Sequence, residues 1–172
     1  MNGEYKHLIP EDFSPDSRVW IYQSSRLFTL SEVREIDDVL KRFLASWNAH
    51  GERVKGFAAV FFDQFIILMA DESDVHVSGC STDSSVRVVR DLEQRFKVRL
   101  FDRTTLAFAR EGKVELMPMA QLGHALLHGS VTAETIYFNN IVLNKRDLLD
   151  KWIIPVGDSW LASRLNAAIP AS

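Results

Sequence analysis

A chain of 172 residues, 47% of them apolar, carries enough hydrophobic material for one domain of ordinary size without disulfide or metal staples. With 20 basic against 23 acidic residues the formal net charge is -3, which removes the electrostatic case for a general nucleic-acid or anionic-membrane binder. The single cysteine, Cys80, excludes an intrachain disulfide, a four-cysteine zinc site and an internal redox pair.

Residues 1–18 (MNGEYKHLIPEDFSPDSR) carry charges and two prolines where an export signal needs an unbroken apolar stretch, so no such signal is expected. The longest apolar stretch, 56–62 and 65–70, is interrupted by Asp63 and Gln64 and falls short of the roughly 18 residues of a membrane span. A cytoplasmic protein is the expectation.

Residues 1–17, with Pro10 and Pro15, read as an N-terminal arm. Arg18–Ser24 (RVWIYQS) is β-branched and aromatic and predicts the first strand. Thr29 or Ser31 offers an N-cap, and Val33, Ile36, Leu40, Phe43, Leu44 and Trp47 recur at three- and four-residue steps, predicting a helix over 31–50 with Gly51 as its stop. Two apolar runs, 54–62 and 64–71, flank a turn near Asp63 and predict a hairpin buried on both faces. Val86, Val89, Leu92 and Phe96 form the stripe of a second helix over 82–97, and 98–102 reads as a fourth strand. The order strand, helix, strand, strand, helix, strand over 18–103 is the split βαβ, ferredoxin-like pattern, with both helices on one face of the sheet.

Residues 104–172 predict a hairpin over 105–117 around Glu111 and Gly112, then a helix from Pro118 to near Gly129. A strand over 135–143 and helices over 145–151 and 158–166 follow. Strand one carries Val19, Trp20, Ile21 and Tyr22 in succession, so neither of its faces is plainly solvated. The C-terminal third is therefore expected to cover the sheet face that the helices leave open, in an α+β single domain.

The segment Ser78–Arg87 (SGCSTDSSVR) is the most unusual in composition. Backbone N-H groups at a helix start, with the hydroxyls of Ser78, Ser81, Thr82, Ser84 and Ser85, the backbone of Gly79 and the guanidinium of Arg87, favour an anion such as phosphate or carboxylate. The same position acidifies a thiol, so the enzyme-class alternative makes Cys80 a nucleophile, with Asp83 or His76 handling the proton. The plain alternative is that Ser81, Thr82 or Asp83 caps the helix and Cys80 is a small buried hydrophobe. The arginine that a cysteine phosphatase loop needs six positions after the nucleophile is replaced by Val86, with Arg87 one residue late. His124 and His128, four apart, share a helix face but lack the glutamate of HExxH, Ala125 standing in its place, so two unligated histidines are expected. The acidic group Asp71, Glu72 and Asp74 reads as a solvated strand exit rather than a cation site.

The segments VWIYQSSR, FIILMADE, SGCSTDSSVR, FNN, KW, P and DSW resemble, across 18–160, an uncharacterised bacterial family known mainly from the Bacteroidetes and often labelled "ABC transporter ATPase". The resemblance implies a cytoplasmic bacterial protein. An ATPase of that kind requires G-x-x-x-x-G-K-[ST] to wrap phosphates, and no such loop is present. No cofactor is expected. The sequence reading is a binding or interaction module, with a small anionic ligand at 78–87, no nucleic acid and no membrane span; a homo-oligomer is left open.

Overall fold

The structure is a computed structural model and describes residues 4–168. In chain order the first half contains β1 (Arg18–Gln23), α1 (Leu30–Ser46), β2 (Asn48–Ala49), β3 (Glu52–Arg53), β4 (Lys55–Phe61), β5 (Phe65–Asp71) and α2 (Gly79–Phe96). The second half contains β6 (Thr105–Arg110), β7 (Lys113–Pro118), α3 (Leu122–Leu127), β8 (Ile136–Phe138), α4 (Lys145–Lys151), β9 (Ile153–Pro155) and α5 (Ala162–Ala168). The fold is α+β, with every strand pairing antiparallel. No helix among the described residues is long and apolar enough to cross a membrane.

The first sheet has the order β1-β5-β4, so β1, α1 and β4 form a split βαβ unit around the central strand β5. Strand parity divides its side chains between two cores. Val19, Ile21, Phe61, Phe65, Ile67 and Met69 point one way. Tyr22, Ile66 and Leu68 point the other way, onto Ile36 and Leu40 of α1 and Val89, Leu92 and Phe96 of α2. β5 is buried at every position, as its unbroken FIILMA run requires. The β4–β5 turn places Phe62 and Asp63 at φ of 53° and 51°, left-handed values that a bulky residue rarely adopts.

Both predicted helices form, with shifted ends. α1 starts in a capping box, Thr29 accepting from the Glu32 N-H and Glu32 accepting from that of Thr29. It stops at Ser46 rather than running to residue 50, because Trp47 turns extended and buries its ring, its indole N-H donating to the Ser81 carbonyl at 2.9 Å. Residues 48–53 then make the small β2–β3 hairpin, which no periodicity announced.

The predicted strand over 98–102 does not form. Its backbone groups serve as caps instead: the Val98 N-H donates to the Glu93 carbonyl, that of Leu100 to the Glu93 carboxylate and that of Arg99 to the Ser25 hydroxyl. Val98 and Leu100 still bury into the helix-side core.

The second sheet has the order β7-β6-β8-β9. The β6–β7 hairpin turns on Glu111 and Gly112, both at positive φ, as its sequence predicted. The predicted strand over 135–143 is reduced to β8: the Asn139 N-H still donates to the Trp152 carbonyl in register with β9, but the chain then turns, the Asn140 N-H donating to the Phe138 carbonyl and that of Val142 to the Asn139 carbonyl. α3 follows a 3-10 turn at Met119–Gln121, and α5 follows another at Val156–Asp158, so the last helix begins four residues later than predicted. Ala107, Phe138 and Ile153 face the first sheet, while Leu106, Phe108 and Tyr137 face α3 and the residues leading into α5. The C-terminal third thus covers the free face of the first sheet.

Trp152, which follows α4, is fully buried at the centre of this junction. Its ring lies 4.8 Å from Tyr5, 5.8 Å from Phe61, 5.8 Å from Phe62, 5.5 Å from Phe65 and 5.7 Å from Phe138, measured between centroids. The N-terminal arm belongs to the same core: Tyr5, Ile9 and Phe13 are buried, and the Tyr5 hydroxyl donates to the Leu148 carbonyl at 2.7 Å. The first three residues of the predicted arm lie outside the described residues.

Gly56 in β4 supplies a direct check on the packing of α1 against the sheet. A Cβ there would sit 2.8 Å from Trp47 Cε3 and 2.9 Å from Leu44 Cδ2. The indole is pinned by its hydrogen bond, so Gly56→Ala is expected to lower stability by about 1–3 kcal/mol in urea unfolding.

Candidate functional site

The segment 78–87 is helical almost throughout, because α2 begins at Gly79, three residues earlier than predicted. Ser78 is the N-cap and accepts from the Ser81 N-H. The remaining hydroxyls bond to carbonyls: Ser81 to Asn48 at 2.7 Å, Thr82 to Ser78 at 3.1 Å, Ser84 to Ser81 at 2.8 Å and Ser85 to Thr82 at 2.7 Å. Each is occupied within the protein, and Ser81 and Ser85 are buried. Gly79, Asp83 and Arg87 lie exposed on the outer surface.

Cys80 is exposed in the first turn, not the buried hydrophobe of the plain alternative. No hydrogen bond among the described residues joins it to His76 or Asp83. His76 instead lines a hollow with Asp16, Ser17, Asp71, Glu72 and Ser73, to which Cys80 does not contribute.

In that hollow the acidic group divides. Asp71 is buried and accepts from the Ser73 N-H and hydroxyl, the Ser14 N-H and Lys55 Nζ. Glu72 accepts from the Val77 N-H at 2.8 Å. Asp74 is exposed. These carboxylates fasten the arm and the loop after β5, and among the described residues no group of three His, Cys, Asp or Glu side chains is placed to hold a metal. The His124 and His128 rings lie 4.1 Å apart on α3, with no third ligand.

A different feature draws the chain's functional surface together. A trough of about 350 Å³ runs between α3 and α5, walled by Met119, Leu122, Leu126 and Trp160, with Arg164 on its margin. Met119 and Trp160 also line a narrower slot of about 90 Å³ that reaches Gln23, Asp102 and Arg103. Gln23, Asp102 and Thr105 continue into a third hollow of about 200 Å³ beside Ser24, Ser25 and Arg99. The trough lies on the outer side of the second sheet, and the slot and third hollow follow toward the edge where the two sheets meet, each sharing lining residues with the next.

The slot is built on a chain of hydrogen bonds from the core. Trp152 Nε1 donates to Asn140 Oδ1 at 3.0 Å, Asn140 Nδ2 donates to Gln23 Oε1 at 2.8 Å, and Gln23 Nε2 donates to the Thr105 carbonyl at 3.0 Å. Trp160 is held by its indole N-H donating to the Tyr137 hydroxyl at 3.2 Å. Burial pushes the Tyr137 phenol up and the Trp160 hydrogen bond lowers it, leaving the net value raised. Three of the exposed large hydrophobics, Leu127, Ile141 and Trp160, rim the groove. Among the described residues Arg103 and Arg164 have no ion-pair partner, whereas Arg99 lies 3.8 Å from Asp102.

Sequence reasoning missed this groove because its walls come from five distant segments. The available signal was apolar residues on surface positions of short elements, Leu127, Ile141 and Trp160. Comparison of the chain with protein-family models, with curated proteins and with solved structures finds no match.

Asp71 makes the structural role of the acidic group measurable. Burial raises its pKa, but the bonds from Ser73, Ser14 and Lys55 outweigh this and hold the carboxyl at about 2. A carboxyl depressed in the folded state stabilises above its unfolded pKa near 4 and loses that contribution as pH falls through its folded value. Asp71→Asn is therefore expected to cost about 2 kcal/mol at pH 7, and the gap to wild type should close between pH 4 and 2 in thermal or urea unfolding.

Proposed function

We propose that this protein is a non-catalytic binding module whose ligand is a small amphipathic anion, an apolar chain ending in a carboxylate, held in the trough between α3 and α5 and the slot that adjoins it. One observation carries the reading: the apolar trough, with Arg164 in its lining, adjoins through Met119 and Trp160 a largely apolar slot that carries Gln23, Asp102 and Arg103. The trough matches the size of a small-molecule site and has the usual apolar lining with a few polar groups. The trough and slot buried by an acyl chain would be desolvated, and Arg103 at the slot supplies a charge-assisted hydrogen bond to the head group. Trp160 and Met119, which line both parts, would contact the chain where it passes from one to the other.

This keeps the anion and binding character expected from the sequence and moves the site. The hydroxyls of 78–87 already have partners, so an anion there would compete with existing hydrogen bonds. The segments YQSSR, FNN, KW and DSW, which carry the family resemblance, contribute Gln23, Ser24, Ser25, Asn140, Trp152 and Trp160 to the groove or its support.

Titration with decanoate, decanol and inorganic phosphate tests the proposal. Decanoate is expected to raise the melting temperature and to change tryptophan emission through Trp160. Arg103→Ala should weaken decanoate about tenfold, the worth of one charge-assisted hydrogen bond, without lowering the melting temperature of the free protein. Equal binding of decanol would overturn the anionic head group, and no response to any of the three would overturn the groove as a site.

A further inference from the structure

The third hollow, beside the slot, carries donors that the described residues leave unused. Ser25 and Arg99 are strapped together in both directions, the Ser25 N-H donating to the Arg99 carbonyl and the Arg99 N-H to the Ser25 hydroxyl oxygen, each at 3.0 Å. The Ser24 hydroxyl oxygen accepts from the Arg26 N-H at 3.4 Å. Both oxygens therefore act as acceptors toward the backbone, and among the described residues no acceptor takes either hydroxyl hydrogen. The Arg99 guanidinium is 73% exposed and comes only within 3.8 Å of Asp102, beyond hydrogen-bond range. Ser24, Ser25 and Arg99 line the same hollow, which is thus supplied for an anionic group rich in acceptors.

Asp102 makes the opposite demand, and it lines both the slot and the hollow. Its Oδ1 accepts from the Thr104 N-H at 2.7 Å and the Thr104 hydroxyl at 2.6 Å, and its Oδ2 accepts from the Thr105 hydroxyl at 2.9 Å. The Thr104 hydroxyl, then the Thr104 N-H, hold this carboxyl below the usual carboxylate range, so it is charged at neutral pH. Oδ2 keeps a lone-pair site for one more donor. An unsubstituted alkyl chain passing Asp102 brings it nothing but the like charge of its own carboxylate. A head group with an N-H at that point and its carboxylate farther on meets both demands.

Resting on the reading of the trough and slot as a site for an amphipathic carboxylate, we infer that the ligand is an N-acyl amino acid, its amide N-H donating to Asp102 and its carboxylate received in the third hollow by Arg99, Ser24 and Ser25. The order of groups along such a molecule follows the order of the lining. Met119 and Trp160 join the trough to the slot and meet the end of the acyl chain, Arg103 belongs to the slot alone and meets the amide oxygen, Asp102 is shared by slot and hollow and meets the N-H, and Arg99 belongs to the hollow alone and meets the carboxylate. A simple fatty acid fills only the first part of this series.

Calorimetric titration of the full chain with four probes tests the inference: decanoate, N-decanoylglycine, tridecanoate matched to it in length, and N-decanoyl-N-methylglycine, which lacks the N-H. N-Decanoylglycine is expected to bind about tenfold more tightly than either tridecanoate or the methylated compound, the worth of one charge-assisted hydrogen bond. Arg99→Gln, at an exposed side chain, should cost N-decanoylglycine about tenfold and leave decanoate within about twofold of wild type. Equal binding of N-decanoylglycine and tridecanoate overturns the inference, while a decanoate response in the same series leaves the broader reading of the site standing. Equal binding of the methylated compound removes the donor to Asp102, and a preference untouched by Arg99→Gln places the carboxylate elsewhere; each overturns the inference as well. Failure of all four probes overturns the inference and the broader reading together.

Discussion

The buried indole of Trp152 is the interaction on which the rest of the arrangement depends. Five aromatic rings surround it, contributed by the arm, the β4–β5 hairpin and β8. Aromatic pairs of this geometry are worth about 0.5–1.5 kcal/mol each beyond their area burial, and here they tie together segments from Tyr5 to Trp152. The left-handed backbone at Phe62 is explained by the same cluster, since that conformation brings the Phe62 ring against Phe138 and Trp152. The polar edge of the indole does as much as its rings. Its N-H orients Asn140, which orients Gln23, which reaches Thr105, so the slot of the proposed site is shaped from inside the core.

Much of the first sheet was legible in the sequence, for identifiable reasons. Residues 65–70 are apolar without interruption, which only a strand covered on both faces tolerates, and Thr29 was one of two cap candidates for α1, the structure choosing it over Ser31. Glu111-Gly112 fixed the second hairpin by its turn chemistry. The strand at 98–102 was misread because Val98 and Leu100 bury with the alternation of a strand, whereas a ladder needs a partner edge. The N-H groups of Val98, Arg99 and Leu100 are instead committed to Glu93 and Ser25.

The candidate site was less legible. A run of Ser and Thr before an apolar stripe has two meanings, an anion cradle or a helix whose hydroxyls bond back to its own carbonyls, and composition does not distinguish them. In α2 the second arrangement is adopted, helped by Trp47 and Asn48 at the Ser81 backbone and side chain. The groove left no local signature, since Gln23, Arg103, Met119, Asn140 and Trp160 meet only through the packing of one sheet on the other. Its position on loops and element ends carried by two rigid sheets is typical of a binding surface.

If Trp152 couples the two sheets, they open together. Native-state hydrogen exchange in increasing urea reads this for each amide. Amides of β5 in the first sheet and β6 in the second are predicted to converge on one opening free energy and one denaturant dependence. Exchange of β6 through a separate opening of lower energy, with β5 still protected, would contradict the account.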